Sequence, residues 1–205
     1  RIGRITPGGT ITEYLLSGAG IPWGITGGPD GNVWFTENFS NKIGKITPGG
    51  VITEFPITTP DSSPTGIAMG SDGNLWFTEW YGNKIGRDRQ SGVDGKSANA
   101  RVALGGRGII DGHDGNLWFT EETANKIGRI TLNGTITEFS VPTASGSVTG
   151  IAAGPDGNVW FTERNTNKIA RIILPEFAEL AVFRRSTCEW FIRRALDGGL
   201  TQVPW

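Results

Sequence analysis

Four glutamates close the same short phrase. Glu37, Glu79, Glu121 and Glu163 each end a WFTE run, and successive copies stand 42 residues apart. A carboxylate repeated at fixed spacing admits three kinds of chemistry. It can accept hydrogen bonds from nearby backbone, Asn or Lys groups and lock one repeat to the next. It can gather with its equivalents around a divalent cation such as magnesium, or around a cationic ligand, because clustered carboxylates attract hard cations. It can act as an acid or base, because crowded carboxyls repel and one keeps its proton. A pair of them flanking a sugar bond would serve glycoside hydrolysis. Structural residues recur with the repeat while catalytic ones tend to occur once, so four-fold repetition favours the locking role.

The elements that must position these carboxylates are written in the same repeat. GPDGNVWFTE occupies residues 28–37 and returns unchanged at 154–163, with GSDGNLWFTE at 70–79 and GHDGNLWFTE at 112–121. The NKIG or NKIA units begin at Asn41, Asn83, Asn125 and Asn167, again 42 residues apart. Within one period, GITGG reads as a short strand and PDG as a tight turn, with Pro29 presetting φ and Gly31 free to take positive φ. NVWFTE is a second strand and NKIGKIT a third. Pro48-Gly49 then supplies a turn with its glycine at positive φ, as does Asn133-Gly134, and VITEF is the fourth strand. Four strands in a period of this length make a β-propeller blade. Blades pack face to face, so Val33 and Phe35 should meet one neighbour while Trp34 and Thr36 meet the other. A solenoid or β-helix fits three tight hairpin turns per period poorly.

The expected architecture is therefore all-β: a single propeller domain over 1–205, with blade repeats at 16–57, 58–99, 100–141 and 142–171. A fifth, closing blade combines 172–205 with residues 1–15, whose RIGRI and TITEY are third- and fourth-strand sequences. Closure removes exposed strand edges. A piece of a larger ring, or a ring completed by a second chain, is the alternative. The stretch DRQSGVDGKSANARVALGG after Gly86 departs from the repeat and reads as a degenerate outer strand. In the tail, ELAVFRRST, EWFIRR and LTQVPW read as strands, with Asp197-Gly198-Gly199 as a turn.

A hairpin centred near Asp30-Gly31 pairs residue 24 with residue 37, so the first strand starts where the second ends. One face of the disc then carries Trp23 with Glu37, Thr65 with Glu79, Arg107 with Glu121, and Thr149 with Glu163. The loops after WFTE add Phe39, Trp80, Tyr81, Glu122 and Arg164 to that rim. The glutamates are thus the candidate catalytic groups. Trp23, Thr65, Arg107, Thr149, Trp80 and Tyr81 are the candidate ligand-binding groups, the aromatic ones suited to stacking on a sugar ring.

Bulk properties narrow the partners to a small molecule or carbohydrate. A net charge of −1 without a basic block argues against nucleic acid. No apolar run reaches membrane-spanning length and no signal peptide opens the chain. Cys188 is the one cysteine, which excludes an internal disulfide and leaves the compartment unmarked. His113 sits in a turn and reads as a solvated surface residue. The DGN turns lack the full D-x-D-x-D-G pattern of a calcium loop and read as turn formers. Arg184, Arg185, Arg193 and Arg194 read as a solvated strand face.

The pattern PxGI, GPDGNLWFTE, NKIGRITPGGTITEF resembles the virginiamycin B lyase (streptogramin lyase) family over residues 1–171. The resemblance implies a seven-bladed propeller in family members and a metal-assisted elimination that opens a cyclic depsipeptide antibiotic. It also implies a magnesium-bearing site built from a glutamate closing WFTE and a histidine just before the GI of the first strand in two blades. All four glutamates are present here, but the positions before GI are Trp23, Thr65, Arg107 and Thr149, and His113 does not match. Elimination needs a base near neutral pH, a role that histidine suits. The expected function is a streptogramin-lyase-like propeller whose central funnel binds a small polar, cyclic or sugar-like ligand. A glycoside hydrolase using paired funnel glutamates and a non-catalytic interaction module are the alternatives. The tail, 172–205, resembles an FG-GAP-type repeat, with Arg185 and Cys188 where Pro and Gly are more usual.

Overall fold

The computed structural model describes residues 1–18, 20–88 and 105–174, and the backbone of strands 180–184, 189–193 and 200–203. The chain divides into two compact units, Arg1–Arg171 and Ile172–Trp205. The first unit opens with a two-stranded sheet, β1 (Ile2–Ile5) and β2 (Ile11–Tyr14). A four-stranded sheet follows: β3 (Pro22–Gly27), β4 (Val33–Glu37), β5 (Lys42–Ile46) and β6 (Ile52–Pro56). The next sheet holds β7 (Pro64–Met69), β8 (Leu75–Glu79) and β9 (Lys84–Asp88). Then come β10 (Gly106–Asp111), β11 (Leu117–Glu121), β12 (Lys126–Ile130) and β13 (Ile136–Ser140). The unit ends on β14 (Val148–Ala153), β15 (Val159–Glu163) and β16 (Lys168–Ile172). In the second unit β17 (Leu180–Arg184), β18 (Glu189–Arg193) and β19 (Leu200–Val203) form a sheet of their own.

This is the expected all-β propeller of 42-residue blades: antiparallel meanders in chain order, with no α-helix among the described residues. The tail strands fall where the sequence places them, while the Asp197-Gly198-Gly199 turn lies outside the described residues. The degenerate segment does too over 89–104; β9 ends at Asp88 and β10 starts at Gly106.

Alternation along the second strand of each blade builds the core. Trp34 is fully buried with Ile43 of its own blade and Ile67, Leu75 and Phe77 of the next. Phe35 points the other way, onto Ile2 and Ile46. The same relation recurs one blade on, where Trp76 packs with Ile109, Leu117 and Phe119. Burying one such tryptophan against its neighbour contributes several kcal/mol, on the order of what a Trp-to-Ala change removes from a core. One turn differs from expectation. In Thr47–Gly50 the positive φ falls on Gly50, at 89°, and not on Gly49. Gly50 N–H donates to the Thr47 carbonyl at 2.9 Å, closing a four-residue turn whose left-handed glycine follows the two central residues. Gly134 does the same in its copy, at 93°.

A bulged face, buried glutamates and an aromatic groove

The start of each blade's first strand does not pair as a plain hairpin would. Glu37 lies opposite Pro22, two residues before the expected partner: the hairpin register alone would set it against Trp23, and the shift between Pro22 and Ile25 moves it one residue further. The shift recurs opposite Glu79, Glu121 and Glu163. A bulge leaves a backbone N–H without a ladder partner. The threonine of WFTE satisfies it: Gly24, Gly66, Gly108 and Gly150 donate to Thr36, Thr78, Thr120 and Thr162 Oγ1 at 2.8, 2.9, 3.0 and 2.9 Å. Three of these hydroxyls then donate onward to the next blade, to the carbonyls of Thr65, Arg107 and Thr149 at 2.6, 3.3 and 3.1 Å. The blades meet so closely here that a Cβ on Gly66 would collide with the Arg107 carbonyl. Gly24 meets the Thr65 carbonyl in the same way, so in these two motifs the glycine is a contact requirement.

The four glutamates lie beneath this face. Glu37, Glu79 and Glu121 are 0% exposed and Glu163 3%. Each sits under a loop. Cβ atoms on Gly20, Gly82 and Gly146 would press on the Oε2 atoms of Glu37, Glu79 and Glu163. Glu37 Oε2 accepts from Ser40 Oγ at 2.6 Å, and Glu163 Oε2 from Thr166 Oγ1 at 3.1 Å. Burial raises the Glu37 carboxyl above its ordinary value against the Ser40 hydrogen bond. Burial raises Glu79 as well; the Thr59 hydroxyl opposes this electrostatically without reaching good hydrogen-bond geometry on either oxygen. None of the four lines either of the two grooves of the face. Among the described residues, no three His, Cys, Asp or Glu side chains converge as a metal ion requires.

What the face does present is a groove of about 500 Å³ bearing Trp23, Phe39, Trp80, Tyr81 and Arg107, with Thr65 at its base. Trp23, Phe39 and Tyr81 are 54%, 73% and 73% exposed, an unusual density of bare aromatic surface. The Arg107 guanidinium lies between two of the rings, 5.6 Å from the Trp23 centroid and 4.6 Å from Trp80. Its Nε donates to Glu122 Oε2. Glu122 also accepts from Ser147 Oγ and Arg164 Nη2, each at 2.8 Å. Burial acts to raise this carboxyl, but the bonds from Arg107 and Ser147 and the two arginine charges hold it below its ordinary value. A second groove of about 460 Å³ shares Trp80 and Arg107 and continues over Glu122, Ser145 and Arg164. Thr149 stays outside both grooves, its hydroxyl 3.2 Å from that of Thr162.

Sequence reasoning did not single out Asn38, Asp61 and Ser63, which line the first groove, or Ser147, which lines the second. Asp61, Ser63 and Ser147 hold left-handed backbone, at φ of 48°, 52° and 54°. A signal was present: the segments before β3, β7 and β14, LLSGAGI, ITTPDSS and VPTASGS, differ from one another while the WFTE and NKI runs that follow do not.

Comparison with known proteins agrees with this fold. The virginiamycin B lyase family model matches residues 1–95 and 94–201, and the chain belongs to that family. A selenomethionine-substituted virginiamycin B lyase from Staphylococcus aureus is 37% identical, with a TM-score of 0.72 over 95% of this chain and 70% of that one. A catalytically inactive variant of the Staphylococcus aureus enzyme, with quinupristin, is 33% identical at a TM-score of 0.71, covering 98% of this chain and 76% of that one. A streptogramin B lyase is 28% identical at 0.71, covering 99% and 75%. Comparison with the curated proteins gives no match.

Proposed function

We propose that this chain is a ligand-binding propeller of the lyase family, with the Trp23–Tyr81 groove as its binding site and no elimination chemistry. The observation that carries the proposal is the exposed aromatic surface gathered around Arg107. Concave sites lined by aromatic groups with a few fixed polar groups are where small ligands bind. A cyclic peptide or a sugar presents the flat, partly apolar faces that Trp23, Phe39 and Tyr81 can stack on. The family supports the cyclic class, since its Staphylococcus aureus member is seen with quinupristin. The positions before GI carry Trp23, Thr65, Arg107 and Thr149, none of which is a base near neutral pH. In this reading the glutamates hold the loops that frame the groove, which the burial of Glu37, Glu79 and Glu163 under Gly20, Gly82 and Gly146 supports.

The test is a titration of the purified protein with quinupristin and with a panel of glycosides, followed by tryptophan fluorescence, with turnover assayed in parallel. Saturable binding without turnover, lost in Tyr81→Ala, is the expected result. Ring opening of quinupristin, or hydrolysis of a glycoside abolished by a single glutamate-to-glutamine change, would overturn it.

A further inference from the structure

We infer that Arg107 is an anion-recognising fork, so that the groove selects ligands in which one carboxylate stands beside a ring. The inference rests on the groove being the binding site. An arginine on a surface loop is mobile and strongly solvated, and ordering it costs side-chain entropy. Arg107 is already ordered. Its guanidinium lies over the rings of Trp23 and Trp80, and Glu122 holds its Nε. Among the described residues, that bond from Nε is its one hydrogen bond, so the terminal amino groups of the guanidinium are uncommitted there. They are the donors that pair with a carboxylate side by side.

The local charge balance also suits an anion. Arg107 and Arg164 both pair with the single carboxylate of Glu122, which leaves one positive charge in excess around Glu122, where the second groove meets the first at Arg107. Asp61 lines the first groove and would repel a second acidic group. The ring of the ligand has its own platform in Phe39 and Tyr81, which no cation covers among the described residues. One acid at the arginine and one ring on the aromatics therefore satisfy the groove together. Other blades cannot supply the fork, since Trp23, Thr65 and Thr149 hold the equivalent positions.

The test compares 4-hydroxyphenylacetate with its uncharged amide, 4-hydroxyphenylacetamide, by ligand-observed NMR and tryptophan fluorescence. In the wild-type protein the acid should bind about tenfold tighter than the amide or better, the scale of a charge-assisted hydrogen-bonded pair. The preference should shrink as salt rises. Arg107→Leu should bring the acid down to the affinity of the amide, and Arg107→Lys should keep part of the preference. Equal binding of acid and amide by the wild-type protein overturns the inference without needing any variant to fold. If quinupristin binds while acid and amide are equal, the fork falls and the groove stands. If nothing binds, quinupristin included, both fall.

Discussion

Each blade has two ends, and they behave differently across the four copies. At the DGN end the chemistry is the same every time. Asp30, Asp72, Asp114 and Asp156 accept the indole N–H of Trp34, Trp76, Trp118 and Trp160 at 3.0, 3.2, 3.0 and 2.9 Å. Lys45, Arg87, Arg129 and Arg171 lie over those rings at 5.3, 5.1, 5.7 and 5.3 Å. At the bulged end the backbone repeats but the side chain before the motif glycine changes from Trp23 to Thr65, Arg107 and Thr149. A repeat that never varies meets a demand every blade shares, namely covering its neighbour. A repeat that keeps its backbone and varies its side chain has room for a ligand. The glutamates belong to the first kind by burial, although they sit at the second end.

The invariant tryptophans separate the two ends most strongly. Trp76→Ala empties a fully buried site between two blades and should cost about 3–5 kcal/mol in urea unfolding. The same change at Trp160, which is only half-buried, should cost clearly less. Next comes the bulge. Thr78→Val strands the Gly66 N–H in a buried setting and removes the link to Arg107, a loss of about 1–3 kcal/mol. Thr162 is exposed, and Thr162→Val should lose less than half of that in the same assay.

The glutamates sharpen the comparison through pH. Burial raises the Glu79 carboxyl, so the native state holds this proton more tightly than the unfolded chain. Its contribution to stability is fullest below the ordinary glutamate value and is lost as pH rises through the raised native one. Glu79→Gln should flatten that fall and leave the protein more stable than wild type at neutral pH, as measured by urea midpoints from about pH 4 to about pH 8. Tyr81→Ala should do the opposite of a structural change: ligand binding is lost while stability moves by less than about 0.5 kcal/mol. The smallest effect belongs to His113. It is exposed, with Nε2 3.0 Å from the Gly154 carbonyl oxygen, and His113→Ala should barely shift the midpoint, by at most about 0.5 kcal/mol.

The blade was legible because its signals are local. A 42-residue period, alternating WF pairs and Asp-Gly turns each follow from contacts within a hairpin or with an identical neighbour. The opposite faces taken by Trp34 and Phe35 followed from strand alternation alone. The bulge was not legible, and with it went the register: Glu37 pairs with Pro22, one residue from Trp23, where an unbroken ladder would put it. Nothing in a single hairpin requires that bulge. It becomes favourable when Thr36 bonds both Gly24 in its own blade and the Thr65 carbonyl in the next.

The candidate site divides along the same line. That Trp23, Thr65, Arg107, Trp80 and Tyr81 stand at one end of their blades follows from strand order and period, which fix the end at which a residue sits. Only the tertiary structure decided that these five share a groove with Asp61 and Ser63 while Thr149 does not, and that the four glutamates go under the loops. Side-chain destination depends on which neighbours close over it, and in a propeller those neighbours come from the next repeat. Arg107 shows this most plainly: its stacking partners Trp23 and Trp80 and its ion-pair partner Glu122 come from three successive blades. No spacing within one blade encodes their meeting.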